Sequence, residues 1–94
     1  MVKSLHTPAY GTFRRLMAEV REHQGLTQAE LAKRLGKHQS FVSKYESGER
    51  RLDVVEFVAV CEALGVEAMA LFLSILGATH ENKTSHRSRK PTPK

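Results

Sequence analysis

Four hydrogen-bonding side chains lie close together near the middle of this 94-residue chain: Gln39, Ser40, Ser43 and Lys44. On a helix they would share one face without a carboxylate, because we expect Glu46 to point inward or towards the following loop. A glutamine can bind N6 and N7 of adenine, a lysine O6 and N7 of guanine, and a serine several base edges. We therefore predict that the four side chains read base pairs. The alternative is the ordinary polar face of a surface helix.

The residues around this run suit two short helices joined by a tight turn. Thr27 begins a capping-box signature for the first helix. Gly36 tolerates the positive φ that a sharp turn requires, and Ala32 is small enough for the second helix to lie close. Val42 and Tyr45, three residues apart, would anchor the second helix to the first. This is the helix-turn-helix arrangement, in which the second helix enters the major groove of DNA.

Apolar residues recur at helical spacing over most of the chain, and no segment alternates as a strand does. Pro8 suits the first turn of a helix that ends at Gln24 and Gly25. A fourth helix is predicted after Asp53, with an apolar stripe of Val54, Phe57, Val58, Cys61 and Leu64. A fifth helix is predicted over residues 66–76, and Gly77 should end it. The sequence thus predicts an all-α bundle, with Cys61 as a core residue.

Charge is distributed unevenly along the sequence. The chain has 15 Lys and Arg, 10 Asp and Glu and a net charge of +5, with a single Cys. Residues 28–51 carry six basic and three acidic residues, whereas residues 52–77 carry four acidic residues and no basic one. A basic region of this kind favours a polyanion as partner. One Cys excludes an intrachain disulfide, and the five histidines lack metal-ligand spacing, so we expect no metal site, no cofactor and no catalytic residues.

The two ends of the chain differ from its middle. Residues 78–94 carry five basic residues against Glu81, with no aliphatic residue beyond Ala78. Such a segment cannot bury enough apolar area to offset its ordering entropy, so we predict a disordered basic tail. The predicted domain organisation is an N-terminal arm over 1–9, a DNA-binding domain over 10–77 and the tail over 78–94. No apolar stretch is long enough to span a membrane and no secretory signal is evident, which favours a cytoplasmic, nucleoid-associated protein.

The stretch LTQAELAKRLGKHQSFVSKYESGERRLDVVEFVAVCEALGV closely resembles the Cro/C1-type (Xre) helix-turn-helix family. The resemblance extends over about residues 10–76 and implies a five-helix, lambda-repressor-like fold. Two positions depart from the family pattern. Lys37 stands where the family usually has an apolar residue, and its methylene stem could cover the core while its ammonium reaches solvent or phosphate. His38 replaces the usual Ser or Thr cap, so the cap is weaker or the imidazole itself contacts phosphate.

The resemblance implies roles for the remaining site residues. Gln28 matches the family's phosphate-contacting glutamine, the alternative being a simple exposed residue. Arg50 and Arg51 match backbone contacts that flank the recognition helix, unless they form ion pairs with Glu46 or Glu49. The resulting phosphate-binding set is Gln28, Lys37, His38, Arg50 and Arg51, and the base-reading positions are those named above. Phe41 remains open between contact with a thymine methyl group and packing under the first helix.

The predicted fifth helix is apolar nearly all round, which is unusual for a surface helix. Met69, Phe72, Leu73 and Leu76 suit burial, so that Ala68, Leu71 and Ile75 would face outward. We expect a homodimer through this helix, with an interface of Ala68, Leu71, Phe72 and Ile75. The alternative is that the basic tail covers the patch.

These features predict a sequence-specific regulator, a repressor bound to double-stranded DNA as a homodimer on a pseudo-palindrome. Two other classes remain open. One is an antitoxin that binds a toxin protein through the fourth or fifth helix and represses its own operon. The other is an RNA-binding or protein-binding use of the same fold. Competition by unspecific DNA and co-purification with a neighbouring gene product would distinguish them.

Overall fold

The computed structural model describes residues 7–84, with side chains as far as Thr79. These residues form five helices joined by short turns: α1 (Pro8–His23), α2 (Gln28–Leu35), α3 (Gln39–Ser47), α4 (Val54–Leu64) and α5 (Ala68–Thr84). The all-α prediction is confirmed. α2 packs against α3 and α4, α1 packs against α3 and α5, and α4 packs against α5.

Local hydrogen bonds define where the helices begin. The Thr27 hydroxyl accepts from the Glu30 N–H at 3.0 Å, and the Glu30 carboxylate accepts from the Thr27 N–H at 2.8 Å. Asp53 and Glu56 form the same reciprocal pair at 2.7 and 2.9 Å. The capping box predicted at Thr27 is therefore present, and Asp53 begins a second one; each satisfies two backbone amides that a helix start leaves unpaired.

The turn between α2 and α3 depends on Gly36, whose φ is 69°. The next residue, Lys37, donates its N–H to the Ala32 carbonyl at 2.9 Å, which closes the turn. A residue with a side chain is strained at this φ, so glycine allows α3 to follow α2 after only three residues.

A second glycine allows α1 to contact the end of α3. Gly48 is buried and has φ 90°, and a Cβ built on it would lie 3.0 Å from Arg14 Nε. Arg14 Nη1 donates to the Glu46 carbonyl at 2.8 Å. The absence of a side chain at position 48 thus lets the Arg14 guanidinium satisfy a carbonyl in the last turn of α3.

The core lies where α1, α2, α3 and α4 meet, and α5 closes it. The predicted anchors Val42 and Tyr45 are 0% and 1% exposed, and Cys61 is fully buried as expected. α4 is rotated from the predicted stripe, because Val54 and Val58 are exposed and Val60 is buried. The buried apolar residues are Met17, Leu31, Ala32, Val42, Tyr45, Val60, Cys61, Leu64 and Leu71.

The Tyr45 hydroxyl is buried and has no hydrogen-bond partner among the described residues. Burial raises the pKa of this hydroxyl above its usual range, so the hydroxyl stays neutral. We expect Tyr45→Phe to raise the free energy of unfolding by about 1 kcal/mol, because the ring contacts remain and an unsatisfied polar group is removed. Urea denaturation measures this change. A loss of more than about 1 kcal/mol would mean that the hydroxyl is bonded after all.

The predicted end of α5 at Gly77 is wrong, because the helix continues through this glycine to Thr84. A glycine inside a helix costs only about 1 kcal/mol relative to alanine and need not stop it. The first residues of the predicted disordered tail, 78–84, are therefore helical. Residues 85–94 lie outside the described part of the chain, as do residues 1–6 of the predicted arm, and α1 already begins at Pro8.

The predicted orientation of α5 is also wrong. Leu71 is only 7% exposed and Ala68 and Ile75 are half-buried against the core, whereas Met69 and Leu73 are 63% and 58% exposed. Of the predicted interface residues, only Phe72 lies on the outer side of the helix, at 49% exposed. A helix that is apolar on all sides has no polar face to indicate which side is buried.

No helix in the described part of the chain could cross a membrane alone. α4 and the first part of α5 reach the length and hydropathy of a span only when joined across a bend of 114°.

Candidate nucleic-acid interface

α3 presents its first two turns to solvent. Gln39, Ser40 and Lys44 are exposed and Ser43 is half-buried. The Ser43 hydroxyl donates to the Ser40 carbonyl at 3.4 Å, a long bond that leaves this hydroxyl close to the surface. The predicted base-reading side chains therefore share an accessible helix face. Their contact with bases stays a prediction.

Glu46 points away from this face, in the inward direction that the sequence suggested. Its carboxylate forms a bidentate ion pair with Arg21 of α1. Arg21 Nε lies 2.7 Å from Glu46 Oε2, and Arg21 Nη2 lies 3.0 Å from Glu46 Oε1. The two side chains are 10% and 7% exposed. The hydrogen bond to Glu46 is the main reason that the pKa of Arg21 is raised. The carboxylate of Glu46, the first acid on α3, is thereby paired with an opposite charge.

Two hydrogen bonds connect this ion pair, through Gln28, to Gln39 at the surface. Gln28 donates from Nε2 to Glu46 Oε1 at 2.9 Å, and its own Oε1 accepts from Gln39 Nε2 at 3.4 Å. Gln28 is half-buried, so it is not the simple exposed residue of the alternative interpretation. Its position next to Gln39 makes it a positioning residue for that side chain as well as a predicted phosphate contact.

Arg21 is the functional residue that sequence reasoning missed. The available signal in the sequence was an arginine on the inner side of α1 and an acid, Glu46, on α3. The ends of the pair are 25 residues apart, however, so only the packing of α1 against α3 could show that they meet.

Phe41 is half-buried and packs edge-on against the Tyr45 ring, with centroids 5.6 Å apart. Two cations lie over its ring, with Lys37 Nζ at 5.1 Å and Arg50 Cζ at 4.8 Å from the centroid. Phe41 thus packs at the edge of the core, and cation–π contacts hold two basic residues beside α3. It is the Lys37 ammonium that lies over this ring, and contact of Lys37 with phosphate stays a prediction.

Arg50 forms an ion pair, but with a partner that neither sequence alternative named. Its Nη1 and Nη2 atoms lie 2.9 and 2.7 Å from the two carboxylate oxygens of Glu56, and Nη1 also donates to the Arg51 carbonyl at 2.8 Å. For Arg50, the alternative of an ion pair with Glu46 or Glu49 is therefore wrong. Arg50 therefore links the loop after α3 to α4, and its contact with phosphate stays a prediction.

This ion pair has a consequence for acid stability. The hydrogen bonds from Arg50, and then from the Asp53 N–H, lower the pKa of Glu56 from 4.5 to about 2. A carboxyl whose pKa is lower in the folded state stabilises the fold fully above its unfolded pKa, and this stabilisation is lost as the pH falls through the folded pKa. We therefore expect the stability contributed by Glu56 to disappear between about pH 4.5 and pH 2.

Thermal unfolding from pH 6 to pH 2 tests this expectation with Glu56→Gln as the matched control. The melting temperature of the wild type should exceed that of the variant at pH 6, and the difference should shrink towards pH 2. Two curves that stay parallel over this range would contradict the assignment, because the other carboxyl groups titrate alike in both proteins.

Arg51 and His38 lie at opposite ends of the α3 region. Arg51 is exposed, and its guanidinium lies 5.0 Å from the Tyr10 ring centroid. The Tyr10 hydroxyl accepts from the Leu52 N–H at 3.1 Å and so supports the loop that carries Arg51. His38 is the N-cap of α3 but forms no side-chain cap bond within the described residues, in agreement with the weaker cap. Its exposed imidazole lies next to Gln39.

Metal-ligating side chains do not cluster in the described part of the chain. No three His, Cys, Asp or Glu side chains come together there in a way that could hold a metal ion. Burial raises the pKa of the Cys61 thiol to about 11, which disfavours the reactive thiolate.

Comparison with known proteins places this geometry among helix-turn-helix proteins. The family model described as helix-turn-helix matches residues 17–71, more than half of the chain. Among curated proteins, none matches.

Solved structures provide further similarities. The XRE-family like protein from Pseudomonas syringae pv. tomato str. DC3000 is 45% identical, with a TM-score of 0.74 over 82% of this chain and 94% of that one. The restriction-modification controller protein C.AhdI from Aeromonas hydrophila is 28% identical, with a TM-score of 0.62 over 67% and 96%. The clp gene regulator ClgR from C. glutamicum is 20% identical, with a TM-score of 0.67 over 78% and 95%, and this likeness shows the fold alone.

Proposed function

Because the chain belongs to the Cro/C1-type (XRE) helix-turn-helix family of DNA-binding transcription regulators, we propose that it represses transcription as a homodimer on a pseudo-palindromic operator. The observation that carries this proposal is the exposed, acid-free face of α3, which displays Gln39, Ser40 and Lys44 while Glu46 is turned towards Arg21.

The network behind Gln39 favours a particular base contact. One N–H of Gln39 is directed to Gln28 at 3.4 Å, so its carbonyl oxygen and its second N–H are the groups we assign to the base. This donor and acceptor pair matches N7 and N6 of adenine. We assign Gln39 to an adenine, Lys44 to a guanine, and Ser40 and Ser43 to adjacent base edges.

Phosphate contacts supply the affinity in this proposal. Arg51 and Lys37 are exposed on either side of α3, and Gln28 and His38 lie near its start. Arg50 contributes by fixing the loop that carries Arg51. If a dimer neutralises about eight phosphates, the logarithm of the association constant falls with the logarithm of salt concentration with a slope of about −7.

Selection of bound duplexes from a random pool tests the proposal, because it reports sequence preference, symmetry and half-site spacing together. We expect two half-sites about one helical turn, ~34 Å, apart. Enrichment of no sequence, or equal displacement by unspecific DNA, would overturn it. A toxin or other protein partner stays a prediction from the sequence.

Side-chain removal on α3 gives a sharper test of the base-reading assignment. Gln39→Ala or Lys44→Ala should weaken binding by about 1–3 kcal/mol and relax the preference at one base pair. Arg51→Ala is the matched control, and it should weaken binding to every duplex alike because a phosphate contact carries no sequence information. Fluorescence anisotropy with the selected duplex and its single-base variants measures both effects. Normal discrimination by both α3 variants would refute the assignment.

The dimer interface is reassigned to the outer side of α5. Met69, Phe72, Leu73 and Leu76 are each about half exposed or more and recur at spacings of three and four, which places them along one side of the helix. A contiguous apolar strip of this kind on a small domain marks an interaction surface. A two-fold interface through this strip would join two copies, each with its own α3.

A further inference from the structure

The Phe41 ring, in the first turn of α3, is in contact with both the core and two cations. The Tyr45 ring packs edge-on against it with centroids 5.6 Å apart, and Tyr45 is only 1% exposed. Lys37 Nζ and Arg50 Cζ lie 5.1 and 4.8 Å from the centroid of the Phe41 ring. The core therefore fixes the ring, and the ring in turn attracts the two cations.

The two cations differ in their ion-pair partners. The Arg50 guanidinium is paired with both carboxylate oxygens of Glu56, at 2.9 and 2.7 Å. Lys37 is exposed, and its ammonium forms no ion pair with a carboxylate within the described residues. Its charge still contributes to the low pKa of Glu56, so this carboxylate and the ring face together offset the repulsion between the two cations. Lys37 is therefore the cation of this cluster whose charge is left to an outside anion.

We propose that Phe41 is a positioning residue for the DNA backbone, because its ring holds the Lys37 ammonium beside the start of α3, where a phosphate would bind. This inference rests on the proposed function, in which Lys37 contacts a phosphate. A lysine side chain loses rotamer freedom when it binds, and a ring that already restricts the side chain reduces this loss. The partial positive charge of the first amides of α3 adds to the attraction for the same anion.

The proposal separates two roles that an aromatic side chain can have beside the major groove. A ring that acts through Lys37 affects a phosphate contact, and its loss should weaken binding to every duplex by one common factor. A ring that touches a thymine methyl group would instead affect the preference at one base pair.

Proton NMR of the full-length protein tests the contact between Lys37 and Phe41 without any variant. The face of an aromatic ring shields protons above it, so the ε-methylene protons of Lys37 should resonate upfield of their usual position. The upfield shift should persist when DNA is bound, because the ammonium meets the phosphate from its place over the ring. Ordinary lysine shifts in the wild type, with or without DNA, would overturn the proposal.

A double-mutant cycle tests whether Phe41 acts through Lys37. Phe41→Leu should weaken binding to every duplex by about two- to fivefold, the range of one exposed cation–π contact. In the background of Lys37→Met, which keeps an unbranched stem without the charge, Phe41→Leu should cause no further loss. Phe41→Tyr retains the ring face and should bind like the wild type. Fluorescence anisotropy with the selected and a scrambled duplex measures these affinities.

Phe57→Leu is the matched control for the loss of an aromatic ring. Phe57 is half-buried like Phe41, and within the described residues no cation lies over its ring. This variant should leave the DNA affinity unchanged. Urea denaturation of each variant shows that it is folded under the conditions of the binding assay.

Two results of the cycle would overturn the proposal. Additive losses in the double variant would mean that Phe41 does not act through Lys37. A loss confined to one base pair would assign the ring to a thymine methyl group. If Phe41→Leu does not fold, the Lys37 shifts of the wild type and the affinity of Phe41→Tyr decide. Equal binding of all duplexes by the wild type would refute the proposed function, whereas the cycle on a single duplex would still decide the role of Phe41.

Discussion

Glu46→Ala is expected to lower the free energy of unfolding by about 3–5 kcal/mol, because it leaves the Arg21 guanidinium buried without its partner. Arg21 forms two of its hydrogen bonds with Glu46, and both side chains are almost fully inaccessible to solvent. The third bond, from Nη1 to the Leu26 carbonyl at 2.7 Å, brings no opposite charge, and the remaining Glu22 carboxylate lies 3.8 Å from Nη2 on a largely exposed side chain. In a domain of this size, such a loss lowers the melting temperature by about 12–40 °C.

Urea denaturation of three proteins separates the charge effect from the packing effect. The wild type, Glu46→Ala and the double variant Arg21→Met with Glu46→Leu should be compared. The double variant should be much closer to the wild type than the single one, since it replaces the buried pair by apolar side chains of similar volume. Equal losses in both variants would mean that the pair contributes packing alone.

Glu46→Ala should also reduce the preference of the protein for one base pair over another. Without Glu46, Gln28 loses the acceptor that orients its amide, and the Gln28 oxygen that accepts from Gln39 is then no longer held in place. At a temperature where Glu46→Ala is still folded, we expect a reduced preference at the base pair assigned to Gln39. The preference at the Lys44 position should be kept. A uniform loss at all positions would instead indicate that α3 as a whole has moved.

Leu73→Arg is expected to convert the proposed dimer into a monomer of 10.6 kDa and to weaken binding to the proposed operator by about 10²–10⁴-fold. Leu73 is 58% exposed, so arginine should be accommodated in the monomer without loss of the fold. Two charged side chains placed opposite each other across a two-fold axis would repel, and each half-site would then be bound without the gain that linkage provides.

Sedimentation at micromolar concentration and anisotropy with a full and a half operator measure the two effects. The full site should lose affinity in Leu73→Arg and the half-site should not. Leu71→Arg is unsuitable for this test because Leu71 is buried in the core and its substitution would unfold the domain. A dimer that persists in Leu73→Arg, or a wild type that sediments as a monomer, would contradict the reassigned interface.

Features that depend on neighbouring residues were predictable from the sequence. The capping boxes at Thr27 and Asp53, the turn at Gly36 and the buried anchors of α3 each involve residues three or four positions apart. Their chemistry is complete within one turn of helix, so the residue types alone indicate the geometry. The same reasoning placed Gln39 and Lys44 on the outer face of α3, because the anchors Val42 and Tyr45 define its inner face.

The side of α5 that is buried and the partners of the ion pairs were decided by the tertiary structure alone. α5 is apolar all round, so its periodicity fits burial of either side, and only its packing on α1 and α4 selects Leu71 for the core. Arg21 and Arg50 are surrounded in sequence by several carboxylates of equal chemistry, and which one each arginine meets depends on how separate helices pack. Local sequence therefore determined the elements and the face of α3, whereas the contacts that hold this face in place and the surface left for a second copy follow from distances between residues far apart in the chain.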